Sequence, residues 1–234
     1  MAKNHKFSKS EAIKFGLNFF KANIGTFVKL GLTYLLISYV LGVISGFFTS
    51  PAFVLGLIAT LFKHPVINIW IVIAGAFISI LSQIIVLLVE IVVQIGLTKI
   101  TLELYDGKPL NISKFYSLYP LAPRYLGATI IYILITMVGF ILFIIPGIIW
   151  AIKFGFYSYL IVDKNAGLMD SLKKSSLLTQ GVKMNLFIFG LLLILFNIAG
   201  VLALGIGLLV TIPTTLMASV YVYRKLLSQT LSVA

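Results

Sequence analysis

Apolar residues gather into about six long runs, and the polar positions between them alternate in character along the chain. The runs cover residues 30–48, from Pro65 to about 97, 126–145, from Pro146 to just before Asp163, 186–204 and 207–223. A helix of roughly 20 apolar residues crosses about 30 Å of hydrocarbon, so each run predicts a membrane-spanning helix. Two connections are minimal, Ile145-Pro146-Gly147 and Gly205-Ile206-Gly207, and such short links predict antiparallel hairpins. The stretch from Pro51 to His64 is apolar but too short to cross, and predicts a segment at the outer interface or a shallow re-entrant one. The expected fold is all-α: a polytopic membrane bundle of six transmembrane helices arranged as three hairpins. It forms one integral membrane domain in three units, 1–98, 99–162 and 163–234.

Each hairpin follows a basic segment with helical periodicity. Ser8 and Glu11 have capping-box spacing at the start of the first. Its Ala12, Ile13, Phe15, Gly16, Leu17, Phe19 and Phe20 share one face, opposite Ser10, Glu11, Lys14, Asn18 and Lys21. Phenylalanine on one side and lysine on the other predict either a helix lying in the headgroup plane or one packed on the bundle. The stretch 11–21 aligns with 170–180, and 113–123 holds the same place before the third span, which suggests a threefold repeat. In the last of these segments Lys173 and Lys174 oppose Leu168, Met169, Leu172 and Ser175, and Gly181 predicts its stop. Asn111-Ile112-Ser113 fits a glycosylation sequon but falls on the expected cytoplasmic side, so Asn111 is expected to cap a helix.

Charge fixes the expected orientation. Of the eighteen cations, sixteen sort to one side: Lys3, Lys6, Lys9, Lys14, Lys21 and Lys29; Lys99, Lys108, Lys114 and Arg124; Lys164, Lys173, Lys174 and Lys183; and Arg224 with Lys225. Lys63 falls on the other side and Lys153 within a span. The positive-inside rule then predicts a multi-pass protein of the cytoplasmic membrane with both termini cytoplasmic. The first apolar run lacks a small-x-small cleavage site near Gly46–Pro51, so it is expected to be retained as a span.

Sixty per cent of residues are hydrophobic against 10% charged, with a mean hydropathy of +1.12, which no aqueous globular core could hide. The net charge of +12 lines membrane boundaries and does not form a separate basic domain, so nucleic acid is not expected as a partner. Membrane lipids, anionic ones in particular, are the expected partners, with contact through Lys9, Lys14, Lys21, Lys114, Arg124, Lys173, Lys174, Lys183, Arg224 and Lys225. An unknown protein partner or a homo-oligomer is also compatible. With no cysteine and only His5 and His64, no metal site or cofactor is expected, and no nucleophile–base set indicates an enzyme.

Polar residues inside the spans define the alternative. Asn68, Ser79, Gln83, Glu90, Gln94 and Thr101 fall on one arc of the second span, expected to face the bundle interior or a water-filled cavity. Glu90 is the lone carboxylate of the spans and Lys153 their lone cation, with Tyr157 one turn beyond. Gln83, Glu90, Gln94, Lys153, Tyr157 and Asn197 are therefore the candidate residues of a translocation or binding path. The competing reading is a structural ion pair, or two side chains reaching separately for the interface. Gly42 and Gly46 suit close helix packing, and Pro213 among Thr211, Thr214, Thr215 and Ser219 suggests a bend in the sixth helix.

From residue 145 on, Ile145-Pro146-Gly147-Ile148-Ile149, Asp170-Ser171-Leu172-Lys173-Lys174-Ser175, Thr179-Gln180-Gly181, Gly205-Ile206-Gly207 and Pro213 form a series of marks. The chain resembles the bacterial YciC-like integral membrane family and the membrane domain associated with glycerophosphodiester phosphodiesterases. That resemblance implies a six-span bundle with interfacial helices; the phosphodiesterase's acidic metal-binding residues have no counterpart, so its activity does not carry over. The expected function is non-enzymatic: membrane organisation, anionic-lipid interaction or scaffolding of a partner. The alternative is a small transporter or channel using the second span.

Overall fold

A computed structural model of the chain describes residues 7–61, 65–203 and 205–231. The expectations for Lys3, Lys6 and Lys63, and for the side chain of Asn68, lie outside the described residues. The helices are α1 (Lys9–Ala22), α2 (Ile24–Leu61), α3 (Pro65–Tyr105), α4 (Lys114–Ser117), α5 (Ala122–Leu142), α6 (Ile144–Phe154), α7 (Tyr157–Lys164), α8 (Leu168–Leu178), α9 (Lys183–Leu202) and α10 (Leu208–Leu231). A 3-10 turn, Tyr119–Leu121, precedes α5, and no strand occurs among the described residues.

Among the described residues, five segments are long and apolar enough to cross a membrane: Ile24–Phe47, Ile73–Tyr105, Lys114–Leu142, Ile144–Lys164 and Lys183–Leu202. Large apolar side chains on these helices point outward, among them Leu36, Ile85, Ile141 and Leu195. This is the apolar exterior of a membrane protein. The remaining expected span, α10, has sufficient length at 24 residues but a more polar composition. Its surroundings explain why: Met217, Ala218, Val220, Val222, Tyr223 and Leu226 are fully buried by other helices. A helix walled by protein can carry hydroxyls, and Thr214 donates to the Val210 carbonyl at 2.7 Å beside Pro213, where the proline ring removes a backbone donor.

The main core draws on all three expected units, joining Phe7, Ile95 and Leu102 to Leu160 and to Leu178, Phe189 and Tyr223. Helix α3 continues past 98, the expected end of the first unit, to Tyr105. Helix α2 likewise continues through Pro51 to Leu61, where a separate interfacial segment was expected. Membrane-spanning helices tolerate an internal proline, and Pro51 does not end α2. At 1.5 Å per residue, the 38 and 41 residues of α2 and α3 extend about 57 and 62 Å, twice the hydrocarbon thickness. They pack along each other, joined by Gln83 donating to Ser45 Oγ at 2.8 Å.

Between α5 and α6 the break falls at Phe143, which is extended (φ −165°, ψ 156°), and not at Pro146. Pro146 lies in the first turn of α6, where its missing N–H has no intrahelical partner to lose. The two helices then close tightly: a Cβ on Gly139 would lie 2.9 Å from Gly147 Cα.

The fourth expected span is two helices, α6 and α7, interrupted at Gly155 and Phe156. Helix α8 satisfies the freed backbone. Ser175 Oγ accepts from the Phe156 N–H and donates to the Lys153 carbonyl, each at 3.0 Å, and Thr179 donates to the same carbonyl at 3.2 Å. Ser171, Ser175 and Thr179, spaced by four along α8, are fully buried. Ser175→Ala leaves the Phe156 N–H without its partner, and should lower stability by about 1–3 kcal/mol. Thermal unfolding in detergent micelles measures this; an unchanged midpoint would show that the break is held by other contacts.

The three basic segments differ from one another. Helix α1 takes the second of its two expected places: Ala12, Gly16 and Phe20 are buried, and α1 packs extensively on α10. Ser8 caps it as expected, accepting from the Glu11 N–H at 3.2 Å. The middle segment is no amphipathic helix but the single turn α4 and the 3-10 turn, shortened by Pro120 and Pro123. Asn111 forms a turn, accepting from the Ser113 N–H at 3.0 Å, while Ser113 itself holds the cap position of α4. Gly181 follows α8 with φ +81°, the left-handed conformation that ends a helix.

Candidate functional site

Two sets of residues are candidates for function: the cations at the membrane boundary and the polar groups within the spans. The structure divides the first set by finding partners for half of it. Arg224, on α10, reaches Asp106 at the end of α3 (2.6 Å) and Asp163 at the end of α7 (2.8 Å). Tyr223 donates to the same Asp163 carboxylate at 3.0 Å, and Lys164 lies 3.3 Å from it. The Asp163 side chain is only 9% exposed, so this node ties the ends of α3 and α7 to the body of α10 in a poorly solvated place. Lys225 lies 3.2 Å from Glu11 and donates to the Tyr221 hydroxyl at 3.0 Å, while Tyr221 donates to Glu11. Lys114 and Lys99 flank Glu103 at 4.0 and 3.9 Å, Arg124 donates to Asn165 at 3.0 Å, and Lys9 donates to Asn185 at 3.4 Å.

Lys9, Lys114, Arg124, Arg224 and Lys225 are therefore engaged within the chain. Lys14, Lys21, Lys173 and Lys174 are exposed, and none has an ion-pair partner among the described residues. Lys183, half-buried at the start of α9, has none either. On the polar side of α1, Ser8, Ser10, Glu11, Lys14, Phe15 and Asn18 line an open groove of about 440 Å³ against Tyr221. The Tyr221 hydroxyl and the Lys225 ammonium hold the Glu11 carboxyl below the usual carboxylate range. Because the folded value is depressed, this tie between α1 and α10 is intact above the ordinary carboxylate pKa. It is lost as the pH falls through the lowered value.

The intramembrane set is not gathered into one place. Gln83, Glu90 and Gln94 are exposed on α3, while Thr101, on the same arc, is buried. The arc expected to face inward thus faces out over most of its length. Glu90 has no hydrogen-bond or ion-pair partner among the described residues, and it makes no pair with Lys153. Lys153 ends α6, half-buried, with its ammonium 4.9 Å from the centre of the Phe154 ring. Tyr157 lies beyond the helix break, buried against Tyr125 and Tyr132, its hydroxyl 2.9 Å from Thr129 Oγ1. Asn197 donates to Thr215 Oγ1 at 2.9 Å, joining α9 to α10. Its side-chain oxygen is buried without a partner among the described residues.

The sequence reasoning missed the acidic partners Glu11, Asp106 and Asp163 and the hydroxyl row of α8. A signal for the first was present in composition. Only six carboxylates stand against eighteen cations, so each one at a boundary had several candidates for a partner.

No family model matches the chain, and no solved structure matches it. It is 32% identical over 130 residues to Uncharacterized protein Rv2560 of Mycobacterium tuberculosis (strain ATCC 25618 / H37Rv), and equally to Uncharacterized protein Mb2590 of Mycobacterium bovis (strain ATCC BAA-935 / AF2122/97). The match covers 53% of this chain and 38% of each relative, so it spans well under half the length of those proteins.

Proposed function

We propose that the protein is a non-enzymatic, six-span protein of the cytoplasmic membrane whose exposed lysines engage anionic lipid headgroups and so organise the adjoining lipid. In this reading α10 is the sixth span, both termini are cytoplasmic, and the chain is of the YciC-like kind. One observation carries it: Lys14 and Lys21 on α1, with Lys173 and Lys174 on α8, remain exposed and without ion pairs where most carboxylates at the boundary are already taken. Unpaired lysines on short helices next to spans sit where the surface potential of an anionic leaflet acts, worth about 1 kcal/mol each. A transport path along Glu90 and Lys153 receives less support, because those residues do not meet.

Native mass spectrometry of the full chain released from mixed-lipid nanodiscs tests the proposal. Anionic phospholipid should be retained several-fold over zwitterionic phospholipid at low salt. The variant carrying Lys14→Gln, Lys21→Gln, Lys173→Gln and Lys174→Gln should lose most of that preference. Equal retention of both lipids by the native chain, or an unchanged preference in the variant, would refute it.

A further inference from the structure

Glu90 is a carboxylate within the apolar segment Ile73–Tyr105, exposed on α3 beside the exposed Leu87, Leu88 and Val89. One turn on, Gln94 is exposed too, and its side-chain amide has no partner among the described residues. Two turns back, Gln83 bonds to Ser45 of α2 and marks where the two helices meet on this face. Because α2 and α3 run antiparallel, moving two turns from Gln83 to Glu90 corresponds to moving two turns from Ser45 back to Ser38. Seven residues return a helix to nearly the same face, so Ser38 and Glu90 recur on the face that Ser45 and Gln83 define. Ser38 is exposed as well. A polar seam thus follows the α2–α3 pair, open along one side and bordered by apolar surface.

We infer that this seam is the contact between two copies of the chain, packed face to face with their α3 helices parallel. A carboxyl facing hydrocarbon alone is unfavourable, and side chains such as glutamine and serine join helices in membranes by hydrogen bonds across the contact. The donor and acceptor pattern selects a second copy as the occupant. In a twofold contact a residue i of one copy that meets residue j of the other is matched by j meeting i, so a bond from the Gln94 amide donor of one copy to the Glu90 acceptor of the other is made twice. Positions four apart on parallel helices are diagonal neighbours in such a seam. The α2 side offers room for close approach, since a Cβ at Gly42, one turn from both Ser38 and Ser45, would meet nothing within 4 Å. The inference is independent of lipid binding by the lysines.

The chain has no cysteine, so single cysteines report without background. Ser38→Cys and Gln94→Cys, oxidised separately in native membranes, should form disulfide-linked pairs about tenfold more efficiently than Ile133→Cys on the exposed face of α5, given the short reach of a disulfide. By single-molecule photobleaching in proteoliposomes the native chain and Glu90→Gln should be dimeric. Glu90→Leu, which places leucine on an exposed apolar face and leaves the fold intact, should weaken association by about tenfold. A monomeric native chain, cross-links no better than the α5 control, or undiminished association in Glu90→Leu would overturn the inference.

Discussion

Arg224→Met should be the most damaging single substitution in the chain, lowering stability by about 3–5 kcal/mol. Arg224 neutralises two carboxylates at once, Asp106 at 2.6 Å and Asp163 at 2.8 Å, and they come from different helices. Methionine fills much of the same volume but leaves both acids with their mutual repulsion. Asp163 is the worse placed, because its side chain is nearly sealed from solvent and retains only Lys164 and the Tyr223 hydroxyl. Removing one partner of a buried pair exposes the full penalty of the stranded charge, whereas removing both is far milder. Arg224→Met with Asp163→Asn should therefore recover a good part of the loss. Arg224→Lys should rescue poorly, since one ammonium cannot bridge two carboxylates on separate helices as a guanidinium does. Chemical denaturation in micelles measures all three variants. Equal stability of Arg224→Met and the native chain would show that the node contributes nothing net, and a double variant no better than the single would show that Asp163 is not the stranded group.

That node also marks where the sequence stopped being legible. The apolar runs announced α2, α3, α5 and α9 because lipid-facing helices are apolar around their circumference, a property of composition that needs no knowledge of neighbours. Helix α10 was legible as a span by length and spacing, but not as the centre of the packing, which depends on which helices surround it. Periodicity placed Gln83, Glu90 and Gln94 on one arc correctly, yet an arc does not say whether it points in or out. Prolines misled in two places. Pro51 and Pro146 read as helix ends, whereas the first continues inside α2 and the second sits in an opening turn. Nothing local revealed the break at Gly155 and Phe156, because its hydrogen bonds come from Ser175 and Thr179, 19 and 26 residues away from the groups they serve. Among the boundary cations, sequence position identified the residues that could touch lipid. Only the fold shows that Arg224 and Lys225 are occupied.

Gly16→Val should release α1 from α10. A Cβ at this position would overlap the Thr214 carbonyl oxygen and lie 3.1 Å from the Ala218 nitrogen. Both are backbone atoms of a helix that is buried around this point, so neither can move aside as a side chain would. The helices must separate, and overpacking of this kind costs about 1–3 kcal/mol before any other contact is lost. Ala12 and Phe20 then leave their buried places, and the attachment at Glu11 to Tyr221 and Lys225 has to stretch or part. Hydrogen exchange over residues 9–22 should accelerate strongly, with exchange in α9 little changed. Trypsin should cut at Lys14 and Lys21 at least about tenfold faster, as expected when an opening that was rare becomes populated. In lipid the released helix has a second place to go, because the face it buries on α10 is the one an interfacial helix would insert among headgroups. The two positions exclude each other. A spin label at Asn18, in the groove that Tyr221 also lines, should therefore move away from α10 and report a position at the lipid surface in Gly16→Val, while the native chain keeps it near α10. Native-like exchange and cleavage in the variant would mean that the close approach at Gly16 is not what holds α1 in place.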